Sequence, residues 1–351
     1  MRITQTMMAR QYTKRVTGAL GDLNYVNKQV GTGRKFFRGS ENPAGAAKAY
    51  QLRRQSAQVK DYESNLTEAQ YTLQTKESAM DQVHNSLEDA YASILEIMNG
   101  TKNTTENKQI VAQQLRSVQE TIVADMNVKY GDKYLFGGGS VSEAPFNLKE
   151  GTLYYRGVDV SGKESFTWPE GTPLAGTVVK GTKDGSNDVL KLLETMSKEV
   201  INTDLGFGVE VVDGRVIQDT VYNTATPGIN VLGYGGGDPS NNIVLLLGQI
   251  ASQLEADNDT QCLDEYLEPF KDCKQNVLNS ITRTGADYMF LEYTQSRLED
   301  QEDNLASKIS DTEHIDAEEA IMNLSTIDYM YQALLKTSNN ILSMSFIDFM
   351  Q

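Results

Sequence analysis

Between residues 46 and 99 the chain contains neither glycine nor proline, and no proline occurs from 44 to 144 or after Pro269. A run of that length can be one uninterrupted helix, because the two residues that most often break helices are missing from it. The middle is opposite in character, with 19 of the 28 glycines between 131 and 240. That distribution predicts long helices at both flanks and turns with short strands between them.

The first long helix has legible ends. Asn42 can accept an orphan N–H as N-cap, Pro43 at the first helical position has no N–H to lose, and Asn99-Gly100 supplies a stop. At 1.5 Å per residue the helix is ~80 Å long. Its apolar positions are Val59, Tyr62, Leu66, Ala69, Leu73, Met80, Val83, Leu87, Ala90, Ile94 and Ile97. They alternate in threes and fours, with one skip at Lys76, as a heptad seam does. A second helix is expected from an Asn103 cap, with Glu106 completing a capping box, to Tyr130-Gly131, folding back on the first as a hairpin. A third seam runs through Val277, Ile281, Tyr288, Leu291, Leu298, Leu305 and Ile309. Three such seams can bury one another in a rod-like bundle.

The β-rich insertion should hold strands at 153–156, 165–168, 177–180, 209–212 and 215–218, the last two joined by the hairpin signal Asp213-Gly214. A helix is expected near 187–200, and the region as a small, partly solvated domain hung on the bundle. Leu153 and Trp168 read as core. The fold class is therefore mainly α with a β-rich insertion: a long antiparallel helical rod, terminal coiled-coil helices and a small β-containing domain. The expected divisions are 1–40, 41–136, 137–239, 240–312 and 313–351.

Each terminus is a further amphipathic helix set off by a break. At the N-terminus Met8, Tyr12, Val16, Ala19, Leu23, Val26 and Val30 keep helical spacing before Gly31, Gly33, Gly39 and Gly45 intervene. At the other end the polar residues 310–314 separate a helix that Asp316 and Glu319 can cap. There Ile321, Leu335, Leu342 and Phe349 share one heptad position, Leu324 and Tyr331 another, and Ile327, Leu334 and Ile341 a third. So wide an apolar face needs more than one partner helix, which predicts pairing of the two ends with each other and with other subunits.

Composition removes several function classes. With 48 Asp and Glu against 32 Lys and Arg, a net charge of -16 opposes a main role in binding nucleic acid. The longest aliphatic run, Ile243 to Leu247, is far shorter than the ~20 residues of a membrane span. Met1 to Thr6 does not begin a secretory signal peptide, so any export is expected to use another route. Cys262 and Cys273 are expected to be buried, inert thiols, since eleven residues of helix would hold them ~16 Å apart. Residues 176–183 imitate a phosphate-binding loop but end Thr182-Lys183 where Lys-Thr is required. His84 on the rod and His314 in the polar break have no evident nucleophile or metal-ligand companion. No catalytic group, cofactor or metal is expected.

Several short patterns then fall in order. They are Val30 to Lys35 followed by Ser40-Glu41-Asn42-Pro43-Ala44-Gly45-Ala46-Ala47, then Tyr134-Leu135-Phe136-Gly137-Gly138 with Pro145-Phe146, then Leu298 to Glu302, and finally the closing Ile341 to Phe349 with Phe346 inside it. In this order and helical context the chain resembles the flagellin-like family of bacterial flagellar axial proteins over about 1–147 and 240–351. Glu41 and Asn42 stand where the family usually has two Asp, and Val30-Gly31 departs from its pattern. Pro43 resembles the hook-filament junction branch more than the filament-forming branch. A divergent flagellin and an unrelated coiled-coil adhesin are the alternatives.

The resemblance implies a structural protein, not an enzyme. It would be held by a cytosolic export chaperone, exported unfolded, and assembled outside the cell as a ring between hook-associated protein 1 and flagellin. Assembly would then fall to Met8, Tyr12, Val16, Leu23, Val26, Val30, Ile321, Leu324, Tyr331, Leu335, Leu342, Phe346 and Phe349. The rod seam would be Leu66, Leu73, Met80, Val83, Leu87, Ile94, Leu291, Leu298 and Leu305.

Overall fold

The computed structural model describes residues 5–99, 104–168, 176–181, 188–213, 215–256 and 260–347. In chain order these form α1 (Gln5–Thr32), α2 (Pro43–Met98), α3 (Thr105–Asp125), β1 (Lys129–Tyr130), β2 (Lys133–Tyr134), β3 (Phe146–Lys149), β4 (Thr152–Tyr155), β5 (Val158–Asp159), β6 (Phe166–Thr167), β7 (Val178–Val179), α4 (Asp188–Ser197), β8 (Asn202–Thr203), β9 (Val211–Val212), β10 (Arg215–Val216), β11 (Tyr222–Asn223), α5 (Gly228–Leu232), α6 (Ile243–Glu255), α7 (Asp264–Glu313) and α8 (Ala317–Ile347). The protein is mainly helical, with small antiparallel sheets. None of the described helices is long and apolar enough to cross a membrane. The chain divides into two compact units: residues 1–61 with 298–351, and residues 62–297.

In the larger unit α2, α3, α6 and α7 share one core. The α2 and α7 helices are antiparallel, as the cross-pairs Gln70 with Gln295, Glu88 with Lys274 and Tyr91 stacked on Phe270 require. Arg116 of α3 forks onto Glu255 of α6 at 2.6 and 2.7 Å, and Gln119 donates to the Val244 carbonyl. Asn42 accepts from the Gly45 N–H at 2.9 Å at the start of α2, as expected of a cap. For α3 the cap is Thr104, whose hydroxyl accepts from the Asn107 N–H at 3.3 Å; the expected cap, Asn103, lies outside the described residues. The α6 helix was legible only as an aliphatic run. Its cap Asn242 accepts from Val244 and Leu245, and its buried residues, from Ile243 to Leu254, form one broad face while Ser252 and Glu255 on the other side are exposed.

The β region does not form a core of its own. Phe146, Leu153, Tyr155 and Val158 belong to the same buried cluster as Leu87, Ile94, Ile122, Leu247 and Phe270, so the insertion and the bundle are one hydrophobic body. Strands β3, β4 and β5 make a meander joined by Glu150-Gly151 and Arg156-Gly157, with positive φ at all four residues. That is the backbone of a tight hairpin turn whose twist suits the flanking strands. Asp213, also at positive φ, opens the two-residue turn of the β9–β10 hairpin, as its sequence indicated. Gly228 closes the insertion where only glycine fits: a Cβ there would lie 2.5 Å from the Phe146 ring.

Other expectations need correction. Cys262 is exposed and sits in a short turn of 3-10 helix ahead of α7, so only Cys273 is a buried thiol. Burial pushes the Cys273 thiol up to about 11, and neighbouring Asp272 adds to the shift. Pro269 lies early in α7, where it removes one intrahelical bond without ending the helix. The polar stretch 310–313 continues α7, and the break falls at His314 to Asp316. Trp168 is half-buried against the cluster, in edge contact with Phe166. Val178 and Val179 of the apparent phosphate loop are strand β7, while Thr182 and Lys183 lie outside the described residues.

The skip in the α2 seam has a structural use. Lys76 is 1% exposed, and its ammonium donates to the Thr224 carbonyl at 2.7 Å and the Thr226 hydroxyl at 3.0 Å, with Asp287 of α7 as its nearby opposite charge. Burial lowers its pKa from 10.5 to about 8, against the smaller pull of Asp287. Between those two values the unfolded chain holds a proton that the folded chain has released, so stability rises with pH across that window. Measured against Lys76→Met by urea unfolding, wild type should gain ~2–3 kcal/mol between about pH 7 and about pH 10. A difference that stays flat over that range would mean that the amine is solvated.

Candidate assembly surface

The smaller unit is built by the two ends of the chain. Helix α1 stops at Gly33, whose φ of 70° and N–H bond to the Gln29 carbonyl make a left-handed cap. Helix α8 restarts at Asp316, which accepts from the N–H groups of Glu318 and Glu319 at 2.9 and 3.4 Å. The two breaks are tied together: Lys35 N–H donates to the Glu313 carbonyl at 2.7 Å and Ile315 N–H to the Gly33 carbonyl at 2.9 Å. Further along, the Tyr12 hydroxyl donates to the Leu334 carbonyl at 2.6 Å, so α1 and α8 run antiparallel. Arg53 and Lys60 of α2 pair with Glu313 and Glu302 of α7.

The linker after α1 is folded onto that helix. The Glu41 carboxylate accepts from the Phe37 N–H at 2.8 Å, a bond that holds its pKa below the ordinary carboxylate value. Phe37 meets Tyr25 edge-on at 6.0 Å and lies under the Lys28 ammonium at 4.0 Å. Tyr25, Phe37 and Glu41 thus position the turn between α1 and α2. Sequence reasoning singled out Glu41 only as a departure from a motif and passed over the aromatic pair, which leaves no periodic signal.

Among the expected assembly residues, Tyr12, Val16, Leu23, Val26 and Val30 of α1 and Leu324 and Tyr331 of α8 are half-buried along the paired faces. Ile327 and Leu334 share that α8 face, and Ala320 is buried on it. Met8, Ile321 and Leu335 are exposed, the last at 45%. Met322, Tyr329 and Met330 are also exposed. The side chains of Leu342 and Phe346 and the whole of Phe349 lie outside the described residues. One helix therefore covers one stripe of α8 and leaves a second apolar stripe in water, which is costly for a lone chain and useful to a joining one. The seam residues Leu66, Leu73, Met80, Val83, Leu87 and Ile94 of α2 and Leu291, Leu298 and Leu305 of α7 are all buried.

Residues 3–140 match the family model of the bacterial flagellin N-terminal helical region. Over 152 residues the chain is 25% identical to flagellar hook-associated protein 3 of Escherichia coli and 26% identical to that of Salmonella typhimurium. The aligned stretch is 43% of this chain and about half (48%) of each of those proteins. A solved structure described as a flagellar hook-associated protein from Vibrio parahaemolyticus superposes with a TM-score of 0.58 at 18% identity, covering 78% of this chain and all of that one. At that identity the likeness speaks for the fold. The chain thus matches the model of the flagellin N-terminal helical region over residues 3–140, and is similar to the flagellar hook-associated proteins in sequence and in fold.

Proposed function

We propose that this protein is a structural part of the bacterial flagellum that joins the hook to the filament. It would meet hook-associated protein 1 on one side and flagellin on the other, as a ring of copies outside the cell. The observation that carries the reading is the α1–α8 pair with its uncovered apolar stripe, on a chain similar to hook-associated protein 3. Such a stripe is covered only when neighbouring copies or partners supply further helices. Export in an unfolded state after release from a chaperone belongs to the same proposal, supported by resemblance alone. The site residues proposed for assembly are those of the paired faces and the exposed stripe; those proposed for the rod are the buried seam.

Flagellin is the competing reading, and one experiment separates the two. Purified protein added to hook ends that carry hook-associated protein 1 should bind as a short cap that then accepts flagellin. It should not grow filaments by itself. Seeded growth of micrometre-long filaments from this protein alone would transfer the reading to flagellin.

A further inference from the structure

The smaller unit is divided by charge. Residues 1–61 hold twelve Lys and Arg against three Asp and Glu, whereas residues 298–351 hold eleven Asp and Glu against two Lys and Arg. These excesses are equal and opposite. The intrachain pairs Arg53–Glu313 and Lys60–Glu302 join the two halves near the α2–α7 seam, but other charges point away from it. On α1, Arg10, Lys14 and Lys28 fall on the face opposite the Tyr12–Val16–Leu23 stripe, and all three are exposed. Gly18 and Gly21 share this outer side and leave it low enough for close approach. On α7, Asp300 and Asp303 fall opposite the Leu298–Leu305 seam and are also exposed.

Within one copy Arg10 and Lys14 are offset along the helices from Asp300 and Asp303. Gly33 and Glu313 lie together at the junction of the breaks. From there Arg10 and Lys14 are ~34 and ~28 Å back along α1, and Asp300 and Asp303 only ~20 and ~15 Å back along α7. Every pairing but Lys14 with Asp300, offset by ~9 Å, exceeds the ~10 Å over which exposed charges interact in ordinary salt.

We propose that copies of this chain associate head to tail, the basic outer face of α1 at Arg10 and Lys14 docking on the acidic outer face of α7 at Asp300 and Asp303 of the next copy. The contact is heterologous, so it passes from copy to copy around the proposed ring and does not stop at a dimer. Charge sets partner orientation and encounter rate, while the apolar stripe supplies the cohesion. This inference rests on the assembly reading above and adds the faces that meet.

The test uses full-length protein in sedimentation velocity at ~0.05 and ~0.5 M NaCl. Wild type should associate, and at least tenfold more weakly at the higher salt. Arg10→Glu with Lys14→Glu, and separately Asp300→Lys with Asp303→Lys, should each weaken association at least tenfold with an unchanged circular dichroism spectrum. An equal mixture of the two variants should recover it, because each restores opposite charge across the contact. Association indifferent to salt, or a mixture that recovers nothing, overturns the proposal. If Leu335→Asp abolishes association while both charge variants behave as wild type, the charged contact is wrong and the assembly reading stands. If none of the three changes anything, both fail.

Discussion

Leu87→Ala should destabilise the larger unit by ~2–5 kcal/mol, because removing a fully buried leucine forfeits its transfer free energy and leaves a cavity that packed neighbours fill only in part. Leu87 is 0% exposed and lies in the continuous cluster shared by α2, α3, α6, α7 and the β region. Leu66 is equally buried, but it sits outside that cluster. Near it the segment at Asp204 and Leu205 covers α2 and α7, held by Asn65 to the Asp204 carbonyl at 3.1 Å and Arg297 to the Leu205 carbonyl at 3.1 Å. A loop held by two hydrogen bonds can settle into a cavity more easily than a helix can. Leu66→Ala should therefore fall at the lower end of the same range. Urea unfolding followed by circular dichroism measures both, and equal stability of Leu87→Ala and wild type would mean that the seam is not packed.

Leu335→Asp should abolish assembly and leave the melting of the larger unit unchanged. Leu335 lies on the exposed stripe of α8, where a carboxylate meets only water in a free chain but would be buried without a partner charge between joined copies. The same logic predicts that residues 1 to ~40 and ~315 to 351 are trimmed by protease in the free protein and protected in the assembly. A two-helix pair with one apolar stripe in water is marginal, and its ordering is completed by the neighbours that cover it. The larger unit, with its own core, should survive the same digestion. Loss of thermal stability in the larger unit after Leu335→Asp would show that folding of the ends is not deferred to assembly.

Much of this architecture was readable before any coordinate. The α2 seam from Val59 to Ile97, its Asn42-Pro43 start and the restart at Asp316 depend on helix periodicity and capping, which are local and survive in any tertiary setting. The β9–β10 hairpin turning at Asp213 was legible for the same reason. The turns at Glu150-Gly151 and Arg156-Gly157 carried a similar residue-glycine signal, but the strands beside them are only two to four residues long. Strands that short show too little alternation to be told from loop.

What the sequence determined by itself was the long flanking helices α1, α2, α3, α7 and α8, their apolar stripes and the likeness to flagellar axial proteins, because each is written in spacings of a few residues. Only the tertiary structure decided that the insertion shares the bundle's core, since whether Phe146 and Leu153 pack on each other or on α2 and α6 is a question of long-range contact. It alone turned the interruption at Lys76 into a buried cross-link to Thr224 and Thr226, residues about 150 positions away. And it alone showed which stripe of α8 lies against α1 and which is left in water, because a helix with a wide apolar face specifies that partners exist but not the side on which the first one sits.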